Sequence, residues 1–273
     1  MRLSSATFFP ATAVEATCPD CGAARTLAVP RPLARQAATR PCDSCQAGRE
    51  AAALAADEKQ RAEDRAAKAA ARLAGIHQLL REAGANPWEH GTASLDTYDT
   101  AESGHKPLDA VRAFLIETRA ADTWTPVRGL YLCGDTGTGK THLAVAALRD
   151  LLLDPAWNPA DVVFDHAVSL IAAIQDTYST GRSTEALLRR RVDARVWILD
   201  DLGSERASED VVQRLTLIFT ERAMRPTLVT SNDAPGELER RHAELKRVQS
   251  RLGPAYFRTV AVKGRDRRFD RRA

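Results

Sequence analysis

The chain has 273 residues and a mass of 29.8 kDa, with 44 % hydrophobic and 27 % charged residues. That balance is expected of a soluble protein with one core and an appendage. Aromatics make up only 5 %, which excludes an aromatic-rich, lectin-like surface, and the abundance of Ala points to helices. No apolar run approaches the roughly 18 residues of a membrane span, and the opening MRLSSATFFPATAVEAT has no signal-peptide core. A cytoplasmic protein with no membrane partner is expected. The net charge of +3 is polarised: from Glu239 to Ala273 twelve Lys/Arg face four Asp/Glu, leaving a net −5 for the remainder. The basic end suits an anionic partner, or is a solvated tail.

Four of the five cysteines are paired by spacing. Cys18 and Cys21 form one CxxC, Cys42 and Cys45 another, and twenty residues separate them. Two residues between thiolates let one tight turn present both sulfurs to a metal, and two such knuckles complete a tetrahedral zinc shell. A reducing cytosol disfavours disulfides, and a redox pair would need a βαβ context that this segment lacks. The spacing predicts a structural zinc site, since about fifty residues bury too little core to fold alone. Whether such a docking module grips protein or nucleic acid is left open. The fifth cysteine, Cys133, sits in the apolar run GLYLCG and reads as a buried strand residue.

Residues 50–83 are dominated by Ala, Glu, Lys, Arg and Leu, the strong helix formers, with few large apolar residues before Leu73. They read as a semi-rigid connector or as a surface helix lying flat on the following domain. The turn at Ala83-Gly-Ala-Asn-Pro87 breaks it. Helical period returns over 107–121, with Leu108, Val111, Phe114 and Leu115 on one face. Expected domains are a zinc module (1–50), a helical linker (51–85) and a main domain (86–273).

GLYLC then leads into Gly134-Asp135-Thr136-Gly137-Thr138-Gly139-Lys140-Thr141, a GxxxxGK[ST] phosphate loop, followed by the helical HLAVAALRDLLL. Strand, loop and helix are the context that motif requires. Gly137 and Gly139 allow backbone N–H groups to face phosphate oxygens, and the helix N-terminus adds partial positive charge. Lys140 reaches the β- and γ-phosphates of ATP, and the Thr141 hydroxyl ligates magnesium. RVWILDDLG (195–203) supplies the acidic strand. Asp200 orients the magnesium, and Asp201 or Glu205 positions the attacking water. A third apolar strand, PTLVTSN, ends in polar Thr230, Ser231 and Asn232 beside those acids. Strands near 129–133, 161–165, 195–200, 226–231 and 259–263, separated by helices, predict an α/β fold with a five-stranded parallel sheet.

Together GDTGTGKTHLA, ILDDLGSE and PTLVTSN resemble the AAA+ ATPases of the DnaC/IstB-like family: helicase loaders and transposition ATPases. The resemblance covers about residues 90–270. It implies that Asn232 is the sensor, that Arg251 in QSRLG is an arginine finger acting across subunits, and that Arg267 or Arg268 is a second sensor. It further implies self-association through the ATP site and a slow ATPase until assembled. A helical insertion at 167–191 touches single-stranded DNA in relatives. Tyr178 could stack on a base there while Arg182, Arg189, Arg190 and Arg191 meet phosphates, or the segment is an ordinary surface helix pair. The family's usual Arg-Tyr pair before the sensor strand is Arg222-Ala223 here. Loaders with zinc-bearing helicase-docking domains exist in the family. The resemblance therefore implies an ATP-dependent loader that puts a hexameric replicative helicase onto single-stranded DNA. The alternatives are an ATPase assisting a transposase and a nucleotide-gated adaptor with little turnover. A small-molecule kinase would need neither DDLGSE nor the ordered sensor strand.

Overall fold

Period-two alternation in the first described segment makes a hairpin. Strands β1 (Ala11–Thr17) and β2 (Ala24–Pro30) pair antiparallel from Ala11↔Pro30 to Thr17↔Ala24. Thr12, Val14 and Ala16 turn to the covered side and their neighbours to water. The computed structural model describes residues 11–33, 35–36, 39–86, 90–122, 125–204 and 207–266. By internal contacts the chain divides into two compact units, Met1–Lys68 and Ala69–Ala273. Helix α1 (Asp43–Glu82) contributes to both. It begins directly after Cys42, earlier than the expected residue 50, with Asp43 in the first turn where the helix dipole favours an acid. Residues 46–71 are exposed, so this stretch relies on helix propensity and on pairs one turn apart, such as Arg61–Asp57 at 2.9 Å. Large apolar residues then appear, and Ile76 and Leu80 are buried.

In the second unit α2 (Lys106–Ala120) carries Pro107 in its first turn, where a missing N–H costs nothing, and buries Leu108, Val111, Phe114 and Leu115. The sheet holds β3 (Gly129–Cys133), β4 (Val162–His166), β5 (Val196–Leu202), β6 (Thr227–Ser231) and β7 (Phe257–Ala261). All pairs are parallel, in the order β4-β5-β6-β3-β7. Strand β7 starts two residues before its expected position, because Phe257 rather than Thr259 pairs with Gly129.

Helices cover both faces, as near-continuous apolar strands require. One core cluster packs α2, α3 (Lys140–Leu153) and Ile76 and Leu80 of α1 on the sheet. The other packs α4 (Ala167–Thr180), α5 (Thr184–Asp193) and α6 (Glu209–Glu221), with residues of α7 (Pro235–Arg241) and α8 (Lys246–Gln249). The 167–191 segment is thus a helix pair whose Leu170, Ile171, Ile174 and Leu188 belong to the core. The strand order puts β6 between the phosphate-loop strand β3 and the acidic strand β5, which decides what the site can do.

Candidate nucleotide site and metal cluster

Three strand ends converge at the C-terminal edge of the sheet, where open α/β sheets bind ligands. From β3 the chain enters the loop 134–139 and then α3. Thr138, 1 % exposed, donates from Oγ1 to the Asp135 carbonyl at 2.8 Å and fixes the loop. Gly137 and Gly139 have φ of 78° and 100°, which side-chain-bearing residues rarely adopt. Space adds a second reason: a Cβ on Gly137 would lie 2.8 Å from Asp266 Cα, and one on Gly139 would lie 3.0 Å from Tyr98 Cε2. The loop is flanked by the segment of Tyr98, which carries no role read from the sequence, and by that of Asp266, which the family resemblance reads as the second-sensor segment. They are joined to each other, since Arg265 Nε meets Glu102 Oε1 at 2.8 Å and the Arg265 amide donates to Glu102 Oε2 at 2.7 Å.

Lys140, 6 % exposed, donates from Nζ to the carbonyls of Gly134 (2.7 Å) and Asp135 (2.8 Å) and to Asn232 Oδ1 (2.9 Å). Asn232 Nδ2 donates in turn to Asp201 Oδ1 at 3.2 Å. Thr141 Oγ1 lies 3.2 and 3.1 Å from the two Asp200 oxygens. The structure thus brings Lys140, Thr141, Asp200, Asp201 and Asn232 into one cluster. A hydroxyl beside a carboxylate is the hard-oxygen pair that suits magnesium.

Asp200 is 1 % exposed, and burial pushes its carboxyl above the usual carboxylate range, partly offset by the Thr230 hydroxyl. Thr230 Oγ1 donates to Asp200 Oδ1 at 2.6 Å and accepts from the Asp201 amide at 2.8 Å. It therefore spans both acids, a role that needed the β5–β6 register to be seen. That register breaks between Leu199 and Leu202, and Asp201 takes φ of 60° there. A strained non-glycine backbone next to reactive groups is common where a side chain must be aimed.

Arg251 follows α8. Its Nε is buried without a hydrogen-bond partner, and no ion pair holds its guanidinium among the described residues. Glu205, Arg267 and Arg268 lie outside the described residues. Tyr178, Arg182 and Arg189 are exposed, yet each has an acidic neighbour: Tyr178 meets Asp210, Arg182 Nη1 lies 3.8 Å from Asp176, and Arg189 Nη1 lies 3.1 Å from Glu221. Arg191 does not face outward. Its guanidinium forks onto Asp165 at 2.7 and 3.1 Å, and Trp197 Nε1 donates to the same carboxylate at 2.8 Å. A buried acid on β4 takes that arginine, so Arg191 is removed from the phosphate-facing set.

At Arg222-Ala223 the arginine, 2 % exposed, donates to the carbonyls of Arg191, Val192, Ala194 and Pro226 and to Thr227 Oγ1. Ala223 is exposed, so the missing tyrosine leaves no void.

In the first unit the sulfurs of Cys18, Cys21, Cys42 and Cys45 all lie within 4.8 Å of one another, with Cys21 to Cys42 at 3.7 Å. A four-thiolate zinc shell with bonds of about 2.3 Å has edges of about 3.8 Å, so the residues fit that ion. The Cys42 amide donates to Cys18 Sγ at 3.3 Å. Backbone donors at Cys21 and Cys42 pull the Cys18 thiol down to about 6, towards the thiolate form that binds metal. No helix among the described residues is long and apolar enough to cross a membrane.

This fold and site define a P-loop nucleotide-binding protein of the AAA+ type. The signature of the family described as IstB-like ATP binding protein matches residues 109–244. The replicative helicase loader DnaC of Escherichia coli K12 is 28 % identical over 123 residues, 44 % of this chain and 49 % of that protein. Protein YdaV of the same strain is 25 % identical over 136 residues, 50 % and 51 % of the two chains. The chain spans about half the length of these curated relatives. Among solved structures, that of the DnaC helicase loader superposes with a TM-score of 0.53 at 26 % identity, covering 64 % of this chain and 99 % of that one. That of DnaI superposes at 0.55 with 22 % identity, over 65 % and 94 %, a likeness of fold. The chain belongs to the IstB/DnaC-like family of AAA+ proteins, with a four-cysteine module before its ATPase-type core.

Proposed function

We propose that the protein hydrolyses ATP as an assembled loader that places a hexameric replicative helicase on single-stranded DNA. The observation that carries this reading is the continuous contact from Lys140 through Asn232 to Asp201 beside the Thr141–Asp200 pair, in a chain similar to a named helicase loader. In this reading the phosphates lie along residues 134–141, and Lys140 draws on the β- and γ-phosphates. Thr141 and Asp200 hold magnesium, which neutralises charge on the transferred phosphoryl group. Asp201 orients the attacking water and accepts its proton, with Asn232 fixing the carboxylate. Arg251 completes a neighbour's site, and Arg267 or Arg268 serves as the second sensor. Such fingers are worth about 10³–10⁵ in rate, so turnover rises with assembly. The four-cysteine module holds zinc and docks the helicase, and Tyr178, Arg182 and Arg189 approach the strand in exchange for their acidic neighbours.

The deciding experiment mixes the full-length protein with the replicative helicase of its own organism under ATP or ADP. Co-elution in the ATP state together with faster strand displacement is expected. Absence of co-elution in every nucleotide state overturns the loader reading. The match to the IstB-like family favours one second reading, an ATPase assisting a transposase, and preference for duplex over single-stranded DNA would favour it. Absent ATP turnover with helicase and single-stranded DNA present would point to the nucleotide-gated adaptor.

A further inference from the structure

We propose that Asp233, held through Arg241, is a positioning residue that locks the segment bearing Arg251 to the sensing end of β6. The proposal rests on the reading of Arg251 as a finger acting across subunits.

Asp233 is the residue after Asn232 and is 3 % exposed. Both of its backbone groups are fixed. Its amide donates to Ser231 Oγ at 3.1 Å, and its carbonyl accepts from the buried Tyr131 hydroxyl at 2.9 Å. Ser231 Oγ donates onward to the Leu202 carbonyl at the end of β5, at 2.6 Å. The Asp233 backbone is therefore tied to the strand ends that carry Asn232 and the acidic pair.

A carboxylate this buried needs charge compensation, and the groups facing it come from the end of α7 and just beyond. Arg241 Nη1 lies 2.8 Å from Oδ1 and His242 Nε2 lies 3.9 Å from Oδ2, while His242 Nδ1 faces Glu244 at 3.7 Å. The Arg241 contact is close but not aligned as a hydrogen bond, so Oδ1 keeps no aligned donor. The tie is ionic, and it acts on where α7 sits rather than on one atom's direction. Packing joins α7 and the residues up to Leu252 into a single body. Leu238 is fully buried, and a Cβ on Gly203 would lie 2.6 Å from its Cδ1. Leu245, Val248 and Leu252 are buried in the same cluster. Arg251 stands between the last two. Moving α7 relative to β6 therefore moves Arg251 relative to Asn232.

Arg241 is 68 % exposed in its side chain, so its removal tests the tie without opening the core. Turnover is measured against protein concentration and ATP for wild type, Arg241→Ala, Arg241→Lys, Asp233→Asn and Arg251→Ala. Arg241→Ala and Asp233→Asn are expected to lower assembled-state kcat by about 10–100-fold, the scale of an ångström-level misplacement, with KM for ATP within about twofold. Arg241→Lys is expected to recover most of the loss, because an ionic tie needs charge more than fork geometry. If Arg241→Ala leaves assembled kcat unchanged while Arg251→Ala lowers it, the positioning role is wrong and the finger stands. If Arg251→Ala also changes nothing, the finger reading fails and takes this proposal with it. A parallel loss of nucleotide binding in Arg241→Ala would show general unseating of β6 and likewise overturn it.

Discussion

The ammonium of Lys140 donates to Asn232 Oδ1 at 2.9 Å. The strand order makes this contact possible, because β6 lies directly between the phosphate-loop strand and the acidic strand. Asn232 thereby links the group that would meet phosphate charge to the acid that would handle water. Removing an aimed polar group from such a site costs about 10²–10³ in kcat. Asn232→Ala is therefore expected to lower steady-state turnover by about that factor while equilibrium binding of a fluorescent ATP analogue stays within severalfold.

Thr230 gives a related but separable result. Its hydroxyl spans the Asp200 carboxylate and the Asp201 amide. Thr230→Val keeps the shape of the buried strand and deletes the bridge, leaving the Asp201 amide without an acceptor. About 10-fold or greater loss of kcat is expected, with a raised magnesium requirement in a metal titration. Thr230→Ser should retain turnover close to wild type.

These two residues show how far the sequence could be read. The phosphate loop, the acidic pair and the five strands were legible because each is a local pattern of apolar run, Gly-rich turn and terminal polar group. Asn232 was reachable by its place in the order of motifs. The spanning role of Thr230 was not, because it depends on which strand lies beside which and on a register break at Leu199/Leu202. The pairing of Arg191 with Asp165 was hidden for a similar reason: 26 positions separate them, and they meet only because α5 packs beside β4 in the folded chain. The packing of Tyr98 and Asp266 on the phosphate loop left no local signature at all.

Burial raises the Asp200 carboxyl, which sets the sign of its effect on stability. A group whose folded pKa lies above its unfolded one contributes stability that is present below the unfolded value and lost as pH rises through the folded value. Keeping Asp200 ionised therefore costs the metal-free fold stability, and a bound cation would offset that cost. Asp200→Asn is expected to raise the thermal midpoint in chelator while abolishing magnesium-dependent turnover. A midpoint that falls in Asp200→Asn would contradict this assignment.

The four sulfurs within 4.8 Å of one another predict one tightly bound zinc per chain. Binding energy of a structural zinc is folding energy, about 10–16 kcal/mol in small modules near neutral pH. Chelation is expected to make residues 11–45 susceptible to limited proteolysis while magnesium-dependent nucleotide binding by the 69–273 unit persists. Cys42→Ser should abolish stoichiometric zinc in the purified protein. Cobalt substitution should give thiolate-to-metal charge-transfer bands that Cys42→Ser lacks.

Arg222 is a cation buried among backbone carbonyls, and burial, with Arg225 nearby, pulls its guanidinium down to about 9. Its donors close the C-terminal end of α5 and the entry to β6, four carbonyls in all. Truncation strands those acceptors, at about 1–3 kcal/mol for each one left unsatisfied by water. Arg222→Ala is therefore expected to destabilise the ATPase-type core by about 3 kcal/mol or more, a fall of about 6–12 °C in the thermal midpoint for a domain of this size. Arg222→Lys should recover little, because one ammonium cannot reach acceptors spread as widely as a guanidinium fork spans. Calorimetry of Arg222→Ala and Arg222→Lys at neutral pH reads the effect directly, and a fall of less than about 2 °C in Arg222→Ala would show that solvent replaces the staple.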